Sequence, residues 1–144
     1  MSRLTIDSFG VPLMYLLDTN ILIYAYRHLG GCRERLEAQA PSDLRICAIN
    51  LAEIEYGIAK SSRPEALSLF LTNIQARYAL QPMNAESAKQ AGQLRANLER
   101  QGQPIGAYDV LIAGIALANN LTVVTRNVRE FSKVPHLKVE NWYD

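Results

Sequence analysis

The stretch YLLDTNILIY, residues 15–24, decides the fold. Its first three residues are short and wholly apolar, the pattern of a strand buried on both faces. Asp18 follows, and from residue 19 to about residue 27 the apolar positions recur with helical spacing. A strand that hands over to a helix through a carboxylate has two readings. Aspartate caps helix N-termini, satisfying free amides for about 1 kcal/mol. It is also a hard oxygen ligand, and the position just beyond a strand's carboxyl end is where open parallel sheets bind their ligands.

The rest of the chain repeats this alternation. Gly30-Gly31 breaks the chain before a short charged helix that runs to about Ala38. Pro41 and Asp43 precede a second strand, Leu44–Cys47, and INLAEIEYGIAKS then reads as a helix. Arg63-Pro64 starts another helix that continues to about Ala76, and residues 78–81 form a third short strand. Asn84 reads as the N-cap of a long helix that ends near Gln101-Gly102. After the loop GQPIG comes AYDVLIAGIALANN, a helix rich in small apolar residues. LTVVT is the clearest strand, all five residues being apolar or β-branched, and a last strand covers residues 137–140. Short apolar strands between helices predict a three-layer α/β/α domain with a central parallel sheet over residues 14–144. Residues 1–13, with their Gly-Val-Pro break, are set apart as an extension of unknown role, and Met14 is an alternative start.

A chain of 144 residues fits one domain and buries roughly 70% of its unfolded surface. The net charge of +1 announces neither nucleic acid nor membrane, although arginine outnumbers lysine eleven to four. Arginine's planar fork suits phosphate better than lysine's point charge. Two cysteines, Cys32 and Cys47, are too few for a disulfide framework, and Cys47 reads as a small buried hydrophobe. The isolated His28 and His136 argue against a zinc site. No apolar run approaches the ~20 residues that span a bilayer, and the N-terminus lacks the order of a signal peptide, so a cytoplasmic protein is expected.

The residues just after the strands are Asp18-Thr19-Asn20, then Asn50 and Glu53, then Arg126-Asn127. Asp109 joins this rim if its helix begins there. Asp18 and Asp109 each have a capping alternative. Glu53 does not, because it lies inside a helix on a stripe with Ile49, Ala52, Tyr56 and Gly57, while Glu55 points nearly opposite into solvent. An acid on a partly apolar stripe must be paired, protonated or metal-bound. Three acids converging on one edge raise one another's pKa unless a cation neutralises them, and oxygen donors without Cys or His select Mg²⁺ or Mn²⁺. There is no glycine-rich phosphate loop. An aspartyl phosphotransfer site would want an acid two residues after Asp18, where Asn20 stands.

Four pieces of the chain, LLDTNILIY, ICAINLAEIEYGIAKS, GQPIGAYDVLIAGIALANNLTVVTRNVREF and VPHLKVENWYD, resemble in order the PIN-domain ribonucleases, specifically the VapC-type toxins of bacterial toxin–antitoxin pairs. The resemblance covers nearly everything from Met14 to Asp144, and its long third block is the most specific. It implies a metal site in which Asp18 is the first acid, Glu53 the helix acid and Asp109 the acid after the GAY turn. Asn127 falls where many members carry a fourth acid, which lowers the charge of the site. One firmly held Mg²⁺, with a second recruited by RNA phosphate, follows from that charge. Thr19, Asn20, Thr125 and Asn50 are supporting candidates. Attack by a metal-activated water would leave 3′-hydroxyl and 5′-phosphate ends. Arg126 and Arg129 flank Asn127 and are candidates for RNA phosphate, or plain surface residues. Tyr108 either stacks on a base or packs at the sheet edge.

By resemblance the partners are a cognate VapB-type antitoxin, an RNA substrate (tRNA) and a second copy in a homodimer. Promoter DNA would be reached only through the antitoxin. Leu67, Phe70, Leu71 and Ile74 offer apolar surface for such contacts, or core packing. The competing reading is a non-cleaving PIN-like regulatory subunit that joins a DNA-binding partner.

Overall fold

The computed structural model describes Ile6, Phe9, Gly10 and residues 12–144. Most of the 1–13 extension therefore lies outside the described residues. Within it, Ile6 pairs with Pro12 in an isolated antiparallel bridge.

The strands β1 (Tyr15–Leu17), β2 (Leu44–Cys47), β3 (Ala79–Gln81), β4 (Thr122–Val124) and β5 (Val139–Glu140) form one wholly parallel sheet in the order β3-β2-β1-β4-β5. Between them run α1 (Thr19–Tyr26), α2 (Cys32–Ala38), α3 (Ala48–Lys60), α4 (Pro64–Arg77), α5 (Ala85–Arg100), α6 (Ala107–Asn119) and α7 (Val128–Phe131). Successive strand residues point to opposite faces. Tyr15, Leu17 and Val124 thus enter one core with Ile21, Ile54, Leu71 and Ile74, whereas Leu16 and Val123 enter the other with Leu98, Ile112, Ile115 and Phe131. The expected three layers follow directly: helices α1–α4 cover one face, and α5 and α6 cover the other.

The strands are slightly shorter than their apolar runs. Tyr78 caps α4, its N–H donating to the Ile74 carbonyl at 2.9 Å, so β3 begins only at Ala79. Leu137 is held in a turn by its N–H to the Val134 carbonyl, so β5 begins at Val139. Two short pieces were not anticipated, a 3-10 turn at Pro41–Asp43 and α7, because neither is long enough to display a period. Asn84 does cap α5, its Oδ1 accepting from the Ser87 N–H and hydroxyl at 3.0 Å each.

Two surface expectations change. On α3 the core face carries Asn50 and Ile54, with Leu51 and Ile58 half-buried, while Ala52 and Tyr56 are exposed. The stripe drawn through Ile49, Ala52, Glu53, Tyr56 and Gly57 is therefore the rim of the helix rather than its buried face. On α4, Leu71 and Ile74 are core residues and Leu67 and Phe70 are half-buried against that core. Leu71 and Ile74 are thus spent inside the domain and offer no partner surface.

Helices α5 and α6 approach closely at Gly114. A Cβ there would lie 2.8 Å from both the Ala91 nitrogen and the Ser87 carbonyl oxygen. The small residues of α6 serve this contact, which sets the line of the helix and so the place of its first turn. Cys32 and Cys47 are buried free thiols. Among the described residues no helix is long and apolar enough to cross a membrane.

Candidate functional site

The strand order reverses beside β1. The chain leaves β1 toward β2 and β3, then returns to lay β4 on the opposite side. The crevice beyond the carboxyl ends of β1 and β4 is therefore the topological switch point, where such sheets bind ligands. Asp18 stands at that point, and its backbone N–H donates to the Val124 carbonyl at 2.9 Å.

Asp18 does both things its sequence position allows. Oδ1 accepts from the Thr19 N–H at 2.8 Å, which caps α1. Oδ2 accepts from the Thr125 hydroxyl at 2.8 Å, across 107 residues of sequence. A carboxylate has about four lone-pair sites, so capping and the threonine leave two of them for a ligand. The side chain is 5% exposed. Burial raises its pKa, the Thr125 and Thr19 hydrogen bonds pull it back, and the Glu53 charge pushes it up again.

Glu53 is fixed by a buried relay that begins at Asn50. The Asn50 Oδ1 accepts from the Cys47 N–H at 2.8 Å. Its Nδ2 donates to the Leu17 carbonyl at 3.0 Å and to the Thr19 hydroxyl oxygen at 2.9 Å. That hydroxyl in turn donates to Glu53 Oε1 at 2.7 Å. Asn50 is fully buried, and among the described residues no buried side-chain polar atom lacks a partner. The end of β1, the start of α1 and the second turn of α3 are thereby tied together. Thr19, Asn50 and Thr125, second-rank candidates in the sequence, turn out to be the groups that aim the acids.

Asp109 occupies the first turn of α6, after the loop that ends at Gly106. A Cβ on Gly106 would sit 3.3 Å from Asp109 Oδ2, so glycine there leaves room for the carboxylate to lie over the helix start. The Asp109 pKa is pushed up to about 6, by burial first and then by the charges of Asp18, Glu53 and Glu130. Glu130, on α7, is an acid that sequence reasoning did not single out. It is ion-paired to Lys133 at 3.4 Å.

The remaining candidates divide. Asn127 is drawn to the site through its backbone, its N–H donating to the Thr125 hydroxyl at 2.9 Å, while its side chain stays exposed. Asn20 is exposed and makes none of the relay's bonds. Arg126 turns away from the acids to the C-terminal segment. Its guanidinium lies 3.7 Å from the Tyr143 ring centroid and donates to the Tyr24 hydroxyl at 3.2 Å. Arg129 remains an exposed cation beside Asn127. Tyr108 is 58% exposed, so it does not pack at the sheet edge.

The donor set is all oxygen, and the charges of Asp18 and Glu53 add to burial in pushing the Asp109 pKa up. A divalent cation relieves that repulsion, so the chemistry of the residues fits Mg²⁺ or Mn²⁺. Among the described residues no three acidic, His or Cys side chains are gathered tightly enough to enclose an ion by themselves. Magnesium seldom asks for such a cage, since it keeps waters and shares itself between one or two carboxylates and substrate phosphate.

The chain belongs to the PIN domain family, whose model matches residues 15–137. Curated relatives within that family include VapC proteins. It is 39% identical over 132 residues to Ribonuclease VapC2 of Rickettsia felis, covering 90% of this chain and 98% of the relative. It is 37% identical over 131 residues, with the same coverage, to the tRNA(fMet)-specific endonuclease VapC of Shigella flexneri. Among solved structures, VapBC2 from Rickettsia felis bound to a DNA fragment from its promoter superposes with a TM-score of 0.83 at 38% identity, covering 90% of this chain and 99% of that one. VapBC-1 from nontypeable Haemophilus influenzae gives 0.79 at 30% identity, covering 90% and 98%.

Proposed function

We propose that this protein is the toxin of a VapBC-type pair, a Mg²⁺-dependent endoribonuclease that cuts tRNA and is neutralised by a VapB-type antitoxin. The observation that carries this reading is the convergence of Asp18, Glu53 and Asp109 at the switch point, where burial first and then the charges of the other two acids lift Asp109 to about 6. Relatives named as ribonucleases, one of them for tRNA(fMet), support the substrate class. Solved VapBC complexes, some holding DNA, support the antitoxin and an indirect link to a promoter. A homodimer in the cytoplasm completes the reading.

Asp18, Glu53 and Asp109 would hold the cation, with Asn127 beside them. When bound, Mg²⁺ or Mn²⁺ supplies positive charge against the scissile phosphate and lowers the pKa of a water. The chain's own part is orientation. Thr125 and the start of α1 fix the two oxygens of Asp18, and the Asn50–Thr19 relay fixes Glu53. The apolar floor of β1 and β4 keeps bulk water from beneath the site. Asn127 in place of an acid keeps the negative charge at three carboxylates, enough for one tightly held ion.

The test is cleavage of unfractionated tRNA by antitoxin-free protein, with and without EDTA, alongside Asp18→Ala and Asp109→Ala. Cleavage that needs Mg²⁺ and disappears in both variants is expected. Cleavage that survives both substitutions removes the acids from the chemistry. Antitoxin-bound protein that never cleaves when freed supports the regulatory-subunit reading instead.

A further inference from the structure

A groove of about 520 Å³ opens directly from the acid site and runs between α1 and α3 toward the α3–α4 turn. Thr19 and Glu53 line its inner end, and Arg27, Lys60 and Arg63 line the outer part. All three cations are exposed. None of them has an ion-pair partner among the described residues, where the four ion pairs engage Arg33, Arg35, Arg95 and Lys133. Glu53 is the one carboxylate in the lining. Gly57 lies between the two ends and presents no side chain to obstruct the passage; a Cβ there would touch only Leu67, at 3.6 Å. Glycine inside a helix costs about 1 kcal/mol relative to alanine, so the open floor is held at some expense of stability.

We infer that this groove carries the RNA backbone away from the cleavage point, with Arg27, Lys60 and Arg63 contacting phosphates on one side of the scissile bond. The inference rests on the ribonuclease reading and adds which residues hold the strand. Glu53 and Lys60 are two helical turns apart, roughly 10 Å along α3. The basic end therefore meets phosphates beyond the one at the acids. A polyanion entering a site built of carboxylates needs such compensation outside the metal, and on this face the three side chains supply it. Arg126, held 3.7 Å from the Tyr143 ring centroid and hydrogen-bonded to Tyr24, is left out of the track. Lys60 makes only a looser contact, 5.2 Å from the Tyr56 ring centroid.

The experiment compares wild type with a variant carrying Arg27→Gln, Lys60→Gln and Arg63→Gln, and with a control carrying Lys89→Gln, Arg95→Gln and Arg100→Gln on the exposed side of α5. Binding of a fluorescein-labelled single-stranded RNA 12-mer is followed by anisotropy across a salt series in EDTA. Cleavage of tRNA is measured in Mg²⁺, and thermal melts confirm folding. Each lost phosphate contact lowers the salt slope by about 0.7, so the groove variant should lose about 2 from the slope and bind roughly tenfold or more weakly at low salt. The control should match wild type. Wild-type protein that cleaves tRNA while the groove variant keeps its slope and affinity overturns the track and leaves the groove for a peptide partner. Wild-type protein that neither binds nor cleaves RNA overturns the ribonuclease reading itself, and the track with it.

Discussion

Replacing Asn50 by alanine should cost the domain about 3 kcal/mol and loosen the site in the same stroke. The side chain is fully buried and makes three hydrogen bonds, to the Cys47 N–H, the Leu17 carbonyl and the Thr19 hydroxyl. The threonine keeps its bond to Glu53, so its loss is partial. The two backbone groups become buried orphans at about 1–3 kcal/mol each. For a chain of this size that sum lowers the melting temperature by roughly 6–12 °C. Urea unfolding in EDTA at neutral pH reads the change, and an unaltered m-value shows that the same surface is exposed on unfolding. Thr19→Val is the companion. It preserves shape and leaves Asn50 bonded to Leu17, so it should cost about 1 kcal/mol while releasing Glu53. A loss below about 0.5 kcal/mol for Asn50→Ala would refute the view that this relay holds the strand end and the acid together.

Asp109 makes stability depend on pH. Its folded pKa of about 6 lies above the ordinary 3.8, so its favourable contribution is complete below the ordinary value and is lost as pH rises through about 6. Metal-free protein should therefore lose about 1 kcal/mol between pH 4 and 7 from this group, after discounting for its partial exposure. Asp109→Asn should flatten the urea-derived profile, and identical profiles would refute the assignment. Gly114→Ala should destabilise by about 1–2 kcal/mol in thermal melts, because its methyl meets the Ala91 and Ser87 backbone, which cannot swing aside. Thr125→Val removes both the donor to Asp18 and the acceptor for the Asn127 N–H. The tRNA cleavage proposed above, measured in Mg²⁺, should fall about 10–100-fold with the fold intact by circular dichroism, and unchanged cleavage would show that Asp18 needs no such support.

The elements were legible in the sequence because each is bounded by residues with one strong backbone meaning: Gly30-Gly31, Pro64, Asn84 and the loop before Gly106. Asp18 and Glu53 were legible because a parallel sheet delivers its strand ends to a single edge, whereas Asp109, which follows α5 and a loop, was assigned by the family resemblance of its GAYD turn. What local pattern cannot carry is partnership across long separations. Thr125 reaches Asp18 over 107 residues, and Asn50 reaches Leu17 over 33. A threonine or asparagine reads the same whether it faces water or closes such a bond. Arg126 shows the same limit from the other side. Beside Asn127 it read equally as a phosphate contact or a surface residue, and the ring of Tyr143, 17 positions later, against which its guanidinium lies, could not be seen in the local pattern. The face of α3 was misread because the helix carries apolar residues all round, and only contact with α1 and α4 decides which are buried.

The bond between Asp18 and Thr125 also sets a schedule. Synthesis proceeds from the N-terminus, and chains begin to fold as they emerge. Strands β1, β2 and β3 can pair once residue 81 is out, yet β1 still lacks its other neighbour. The second support of the first acid, and the residue that would complete the metal's surroundings, arrive only with β4 and Asn127. A half-made chain on the ribosome thus has its first acid and no working site. Under the ribonuclease reading, the chain can gain a working site only after β4 and Asn127 have been made.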